Sequence, residues 1–201
     1  PAACSSEAFR TFYVYNTDGN LQRTSLIDED GDTTSVSVYR YNRKGICKSI
    51  DIYKAGDLTG REIPQFDMGK MTALKIESGE GENQACYKYS YSGENVENET
   101  YLDKKGNTKS SVRNEYEGGK LVSQERLDSA GRIINKRYFK LNDSNEITEY
   151  RIEVPENGSE FLFRFDYDYD EAGNWIKQTQ YYNDRIISVT VRNIFYYPAG
   201  S

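Results

Sequence analysis

The sequence predicts an all-β fold: a long antiparallel meander of hairpin repeats forming a strongly curved or rolled sheet. Three observations carry this. Residues 161–191, FLFRFDYDYDEAGNWIKQTQYYNDRIISVTV, alternate at the two-residue period of a strand, with Phe161, Phe163, Phe165, Tyr167 and Tyr169 on one face and Leu162, Arg164, Asp166, Asp168 and Asp170 on the other. The following Asp170-Glu-Ala-Gly-Asn174 has turn chemistry: an Asp able to bond its own backbone, then a Gly-Asn pair suited to left-handed dihedrals. Turn markers then recur along the chain at Gly19, Gly31, Gly45, Gly60, Gly69, Gly81, Gly93, Gly106, Gly119, Gly131, Asn145, Gly158, Gly173 and Asp184. A turn of about four residues at that spacing leaves about eight or nine for each strand. A helix in the same space would bury little, and the Tyr, Val, Ile and Thr content favours strands.

Taken in order, residues 1–9 lack periodicity and read as a flexible lead-in, and residues 10–201 read as a single all-β repeat domain. The first strand ends in Tyr13-Val-Tyr-Asn-Thr-Asp-Gly-Asn20, which matches Tyr167-Asp-Tyr-Asp-Glu-Ala-Gly-Asn174. The same grammar returns as Tyr39-Arg-Tyr-Asn-Arg-Lys-Gly45, Tyr101-Leu-Asp-Lys-Lys-Gly-Asn107, Tyr116-Glu-Gly-Gly-Lys120 and Leu127-Asp-Ser-Ala-Gly-Arg132. Residues 55–83 break the rhythm, with Gly56, Gly60, Pro64, Gly69, Gly79 and Gly81 crowded together, and read as a long loop or an excursion between two blocks of hairpins. Residues 121–141 could place Leu121, Leu127, Ile133, Ile134 and Tyr138 on one helical face, but Gly131 breaks that pattern and the repeat register assigns strands. Tyr rings then line the inner face with hydroxyls at the rim. A chain of 201 residues buries roughly 70% of its unfolded surface, so a sizeable core is expected.

The net charge of −6 and a pI near 4.9 argue against nucleic acid, which requires Lys and Arg to neutralise phosphates. No apolar run is long enough to span a bilayer as a helix. With no histidine, and with Cys4, Cys47 and Cys86 lacking ligand spacing, neither a metal site nor a cofactor is expected. Pro1-Ala-Ala-Cys4-Ser-Ser6 resembles the end of a bacterial lipoprotein signal, making Cys4 a lipidation candidate and the only membrane attachment; an ordinary N-terminus with a free thiol is the competing reading. Three turn markers separate Cys47 from Cys86. In an uninterrupted meander they sit three strands apart, roughly 14 Å at the usual strand spacing, whereas a disulfide needs Cα atoms within about 7 Å. Two reduced, largely buried thiols are expected.

The Tyr-x-Tyr-[Asn/Asp]-x-x-Gly-Asn repeat, best at residues 13–20 and 167–174, resembles the YD repeats of RHS-like bacterial surface and secreted proteins. A looser likeness is to MORN-variant repeats. The resemblance implies an antiparallel hairpin sheet on the outward side of the bacterial membrane, acting as shell, scaffold or adhesive surface. The chain is far too short to form the closed shell of the long members.

Asp166, Asp168 and Asp170 with Glu171 could offer Ca²⁺ oxygen ligands, but Glu171 stands where the calcium loop needs its Gly. Asp28-Glu-Asp-Gly-Asp32 fails similarly, and both read as acidic turns. No histidine is present to activate Cys47 or Cys86, and no nucleophile elbow or phosphate loop appears. Aromatics carry the functional expectation. In Tyr181-Tyr182 and Tyr196-Tyr197, neighbours on a strand face opposite ways, so one ring of each pair lies on the outer face; with Trp175 these are the expected ligand contacts. The sequence thus reads as a non-enzymatic, extracytoplasmic bacterial scaffold or binding protein for a protein or glycan. A carbohydrate-binding or carbohydrate-processing accessory is the alternative.

Overall fold

The computed structural model describes residues 10–194; Cys4, Tyr196 and Tyr197 lie outside them. Fifteen strands follow in order: β1 (Arg10–Tyr15), β2 (Leu21–Ile27), β3 (Thr33–Tyr41), β4 (Cys47–Lys54) and β5 (Asp57–Asp67). Next come β6 (Lys70–Ser78), β7 (Asn83–Ser92), β8 (Asn95–Asp103), β9 (Thr108–Glu117) and β10 (Lys120–Asp128). The last five are β11 (Ile133–Leu141), β12 (Ile147–Val154), β13 (Ser159–Tyr169), β14 (Trp175–Tyr182) and β15 (Arg185–Val191). No helix occurs among the described residues. The sheet order is β1 to β15 without a crossover, and each strand runs antiparallel to its neighbour. β1 and β15 do not pair with each other, so hydrogen bonding does not close the sheet. The tempting helix at 121–141 is β10 and β11, as the repeat register required.

The chain divides into two compact units, one of Pro1–Ser90 with Glu99–Lys109 and one of Tyr91–Asn98 with Ser110–Ser201. In the first unit, residues 55–83 correct the sequence reading: they make no excursion. β5 and β6 pair in register from Gly60↔Ser78 to Asp67↔Lys70, joined by a two-residue turn at Met68-Gly69. Pro64 is tolerated because the β4–β5 ladder ends at Ile50↔Glu62, so its missing N–H lies beyond that ladder. Gly79 is required by contact: its N–H bonds Thr59 O, and a Cβ there would lie 1.9 Å from Leu58 O.

Most longer connections share one device. Asn16 O accepts the Gly19 N–H, while Asn16 Oδ1 accepts the N–H groups of Asp18 and Asn20 at 3.0 and 2.8 Å. Asn42, Asp103, Asp128 and Asp170 bond the residues two and four ahead in the same way. The side-chain oxygen thus takes up loop N–H groups that would otherwise lack a partner. Gly19, Gly106 and Gly173 hold φ of 78°, 83° and 80°, the left-handed conformation expected of them. Two-residue turns at Ala55-Gly56, Met68-Gly69, Gly118-Gly119 and Asn183-Asp184 have positive φ at both positions, which matches the strand twist of a tight hairpin.

The expected core is absent. Ala73, Ala85 and Leu127 are the buried hydrophobic residues among those described, and most other apolar side chains remain half-exposed or exposed. Cross-strand pairs, each contributing roughly 0.2–1 kcal/mol, therefore take a large part in stabilising the strands. Cys47 and Cys86 are free and lie on β4 and β7, three strands apart as expected, but half-buried instead of largely buried.

Candidate binding surface

In the second unit the register places one ring on each of four neighbouring strands at the same level. Phe139 pairs with Tyr150, Tyr150 with Phe163, and Phe163 with Tyr182. Ring centroids along the row are 6.4, 4.7 and 5.1 Å apart, close to the spacing of the strands themselves. Phe165 stacks on Tyr150 at 5.7 Å and Phe161 lies 6.3 Å from Tyr182, widening the row along β13. In the first unit the corresponding aromatic contact is Tyr87 with Tyr101 at 5.1 Å.

Polar but uncharged side chains border the rings. Phe165 pairs with Gln180, which pairs with Ser188; Tyr167 pairs with Gln178, which pairs with Thr190. Tyr167 is tied down, its hydroxyl donating to Ile147 O and accepting from Gln178 Nε2, each at 2.9 Å. Burial raises its pKa. On the other side of the row lies Arg137, opposite Gln124 and Ile152, with Asn135 two residues before it. Arg137 Nε and Asn135 Oδ1 are buried without a hydrogen-bond partner. By this register, the strand residues of β11–β15 place no carboxylate on the ring face.

Charge is gathered on the opposite face. Glu125 is held by Lys136 at 2.6 Å and Arg113 at 3.2 Å, Lys140 meets Glu149 at 2.7 Å, and Lys177 meets Asp168 at 3.1 Å. A polar groove of about 390 Å³ is lined there in part by Glu97, Arg113, Glu115, Glu125, Lys136 and Tyr138. Two of its acids are engaged: besides the Glu125 pairs, Ser123 Oγ donates to Glu115 at 2.9 Å. Arg151 lies over the Tyr138 ring, 4.6 Å from its centroid.

The expected contact residues separate. Tyr182 stands in the ring row. Tyr181 faces the other way, bonded to Asp166, which raises the phenol pKa, so the adjacent pair does split between faces. Trp175 meets Tyr167 edge-on at 6.2 Å, but Arg192 covers its ring at 3.2 Å from the centroid and donates to Trp175 O. That ring is already occupied by the chain itself. Three of the acidic residues weighed for Ca²⁺ are also engaged: Asp166 with Tyr181, Asp168 with Lys177, and Asp170 with its own turn. Phe139, Tyr150 and Phe163 escaped the sequence reading because their juxtaposition is a matter of register, although the alternation of β13 placed Phe163 on an apolar face.

A second feature was not visible in the sequence. In the first unit Asp51 is 1% exposed and accepts hydrogen bonds from Arg40 Nε and Arg61 Nε, both at 2.6 Å. Desolvation pushes its pKa up, but the hydrogen bonds and charges of Arg61 and Arg40 outweigh this and hold it below the ordinary carboxylate value.

No protein-family model and no curated protein matches the chain. Among solved structures it is similar to a porin-like protein from Bacteroides uniformis ATCC 8492, at 13% identity and a TM-score of 0.65, over 94% of this chain and 92% of that one. It is also similar to a porin-like protein from Bacteroides vulgatus ATCC 8482, at 14% identity and a TM-score of 0.59, over 90% and 92% of the two chains. At these identities the likeness shows a shared fold: this chain is an all-β sheet protein built as those two are.

Proposed function

We propose that this chain is a non-enzymatic protein of the bacterial cell envelope, outside the cytoplasmic membrane, that presents its ring face to a protein or glycan. The observation that carries the reading is the row Phe139, Tyr150, Phe163 and Tyr182: four rings in register and half-exposed on a sheet with few buried apolar side chains. A contiguous exposed apolar patch of this kind marks an interaction site. The envelope location draws support from the fold shared with porin-like proteins and from the YD-like turn grammar. A binding role without catalysis is supported by the polar groove, where Glu125 and Glu115 are already engaged by Arg113, Lys136 and Ser123. Charge on both faces, including Arg137 and Arg185 beside the rings, disfavours a lipid-facing band, where such residues cost about 2–4 kcal/mol each at mid-depth.

The test is binding of labelled protein to a glycan array and to immobilised envelope proteins. Retention on at least one is expected, and Tyr150→Ala with Phe163→Ala should abolish it. Binding to neither, or binding indifferent to both substitutions, refutes the reading; fractionation of a tagged chain to the cytoplasm refutes the location.

A further inference from the structure

The ring face and its opposite differ in how their cations are satisfied. Across β9–β14 the opposite face pairs its cations with carboxylates: Arg113 and Lys136 with Glu125, Lys140 with Glu149, Arg151 with Glu153, and Lys177 with Asp168. Arg164, on that face, pairs with Asp184. The ring face carries Arg126, Arg137 and Arg185, and none of the three makes an ion pair with another described residue. Arg137 stands two residues along β11 from Phe139, opposite Ile152, with its Nε unpartnered. Arg185 is the cross-strand partner of Tyr182 and closes the row at its β15 end. In a chain of 32 acidic residues, a face whose strands β11–β15 carry Arg137 and Arg185 and no acid is a marked segregation. The anion that would complete these guanidinium groups is not supplied by the neighbouring strands.

The geometry points to a linear glycan bearing uronic acid carboxylates as the occupant of this face, which rests on reading the face as a binding surface. Four rings stacked or tilted against one another at about the strand repeat form an apolar ridge along which successive sugar rings can pack. Gln180, Gln178, Ser188 and Thr190 along one side offer donors and acceptors to hydroxyl groups. Arg137 and Arg185 offer the planar, two-pronged donor geometry that fits a carboxylate and that Lys does not reproduce. A folded protein partner fits less well, because tight protein recognition centres on pockets that take up anchoring side chains and this face is a row, not a pocket. Single-stranded nucleic acid also combines stacking with anionic charge, but it requires a positively charged groove along the strand, and the chain's net charge is −6.

The experiment is titration calorimetry of the full chain with oligomers of polygalacturonate, alginate and hyaluronate, with carboxyl-reduced versions of each and a single-stranded oligonucleotide as comparisons. At least one uronate oligomer should bind, more weakly as salt rises. Its reduced form should bind at least tenfold more weakly. Arg137→Gln and Arg185→Gln should each weaken uronate binding by about tenfold, as expected for a lost charged hydrogen bond, while leaving the reduced form unaffected. Unchanged circular dichroism of both variants separates this from misfolding. Equal affinity for reduced and native glycan overturns the carboxylate assignment while leaving the binding-surface reading intact. So does no binding to any of the three uronates by a protein that still binds another glycan or an envelope protein. Equal or tighter binding of the oligonucleotide overturns it as well.

Discussion

Replacing Asp51 tests how a sheet with so little core tolerates a buried charge. Its carboxylate is 1% exposed, whereas the side chains of Arg40 and Arg61 are 57% and 39% exposed. The two sides of the cluster are therefore unequal. Asp51→Asn removes the buried charge and leaves two arginines that can turn to water, so the cost is confined to the charged hydrogen bonds, about 2 kcal/mol. Arg40→Gln combined with Arg61→Gln leaves the carboxylate buried and unpaired, which costs about 3–5 kcal/mol. Urea unfolding followed by far-ultraviolet circular dichroism at pH 7 should give the order wild type, Asp51→Asn, double arginine variant. The pH dependence has a definite sign. Because the folded pKa of Asp51 is depressed, its stabilisation is complete above the unfolded value of about 3.9 and is lost as pH falls through the lower folded value. The gap between wild type and Asp51→Asn should therefore close on acidification. An Asp51→Asn variant less stable than the double arginine variant, or a gap unchanged at low pH, would refute the argument.

Two glycines should behave differently, and differential unfolding measures both. A Cβ at Gly173 meets nothing within 4 Å, so Gly173→Val should cost chiefly left-handed strain, about 1–2 kcal/mol, and a neutral result contradicts it. Gly79→Ala forces its Cβ against Leu58 O and should cost more than Gly173→Val; the reverse order removes the contact argument. Asp103 is held down to about 2, chiefly by the Asn107 backbone N–H, so its carboxyl should stay ionised through pH 3 in a carbon-detected NMR titration. A midpoint near 4 would mean that the turn does not hold its N–H groups on the side chain. Thiol counting under denaturing, non-reducing conditions should find both Cys47 and Cys86 free; in the native protein Cys47 should alkylate slowly, since burial raises its pKa. A bridge between them would contradict a meander in which β5 and β6 intervene.

Local chemistry alone determined most of the architecture. Asn16, Asp103 and Asp170 at the head of a Gly-containing loop set each turn through bonds to their own next few residues, and the two-residue alternation of β13 needed no distant partner. That is why the strand count, the positive-φ glycines and the separation of Cys47 from Cys86 were all legible. Tertiary structure decided what depends on neighbours. Pro64 and Gly60 looked like breakers at 55–83, yet the ladders on either side of β5 leave room for a proline at its outer end and for a glycine against Glu77 O. Trp175 looked like a free platform until Arg192 settled on it. Tyr150 and Phe139 looked ordinary until register set them beside Phe163. A strand specifies which side chains share its own face, but which rings and charges meet across the sheet follows from bulges and loop lengths, and those decide where this protein's rings are gathered and where its arginines stand without a carboxylate.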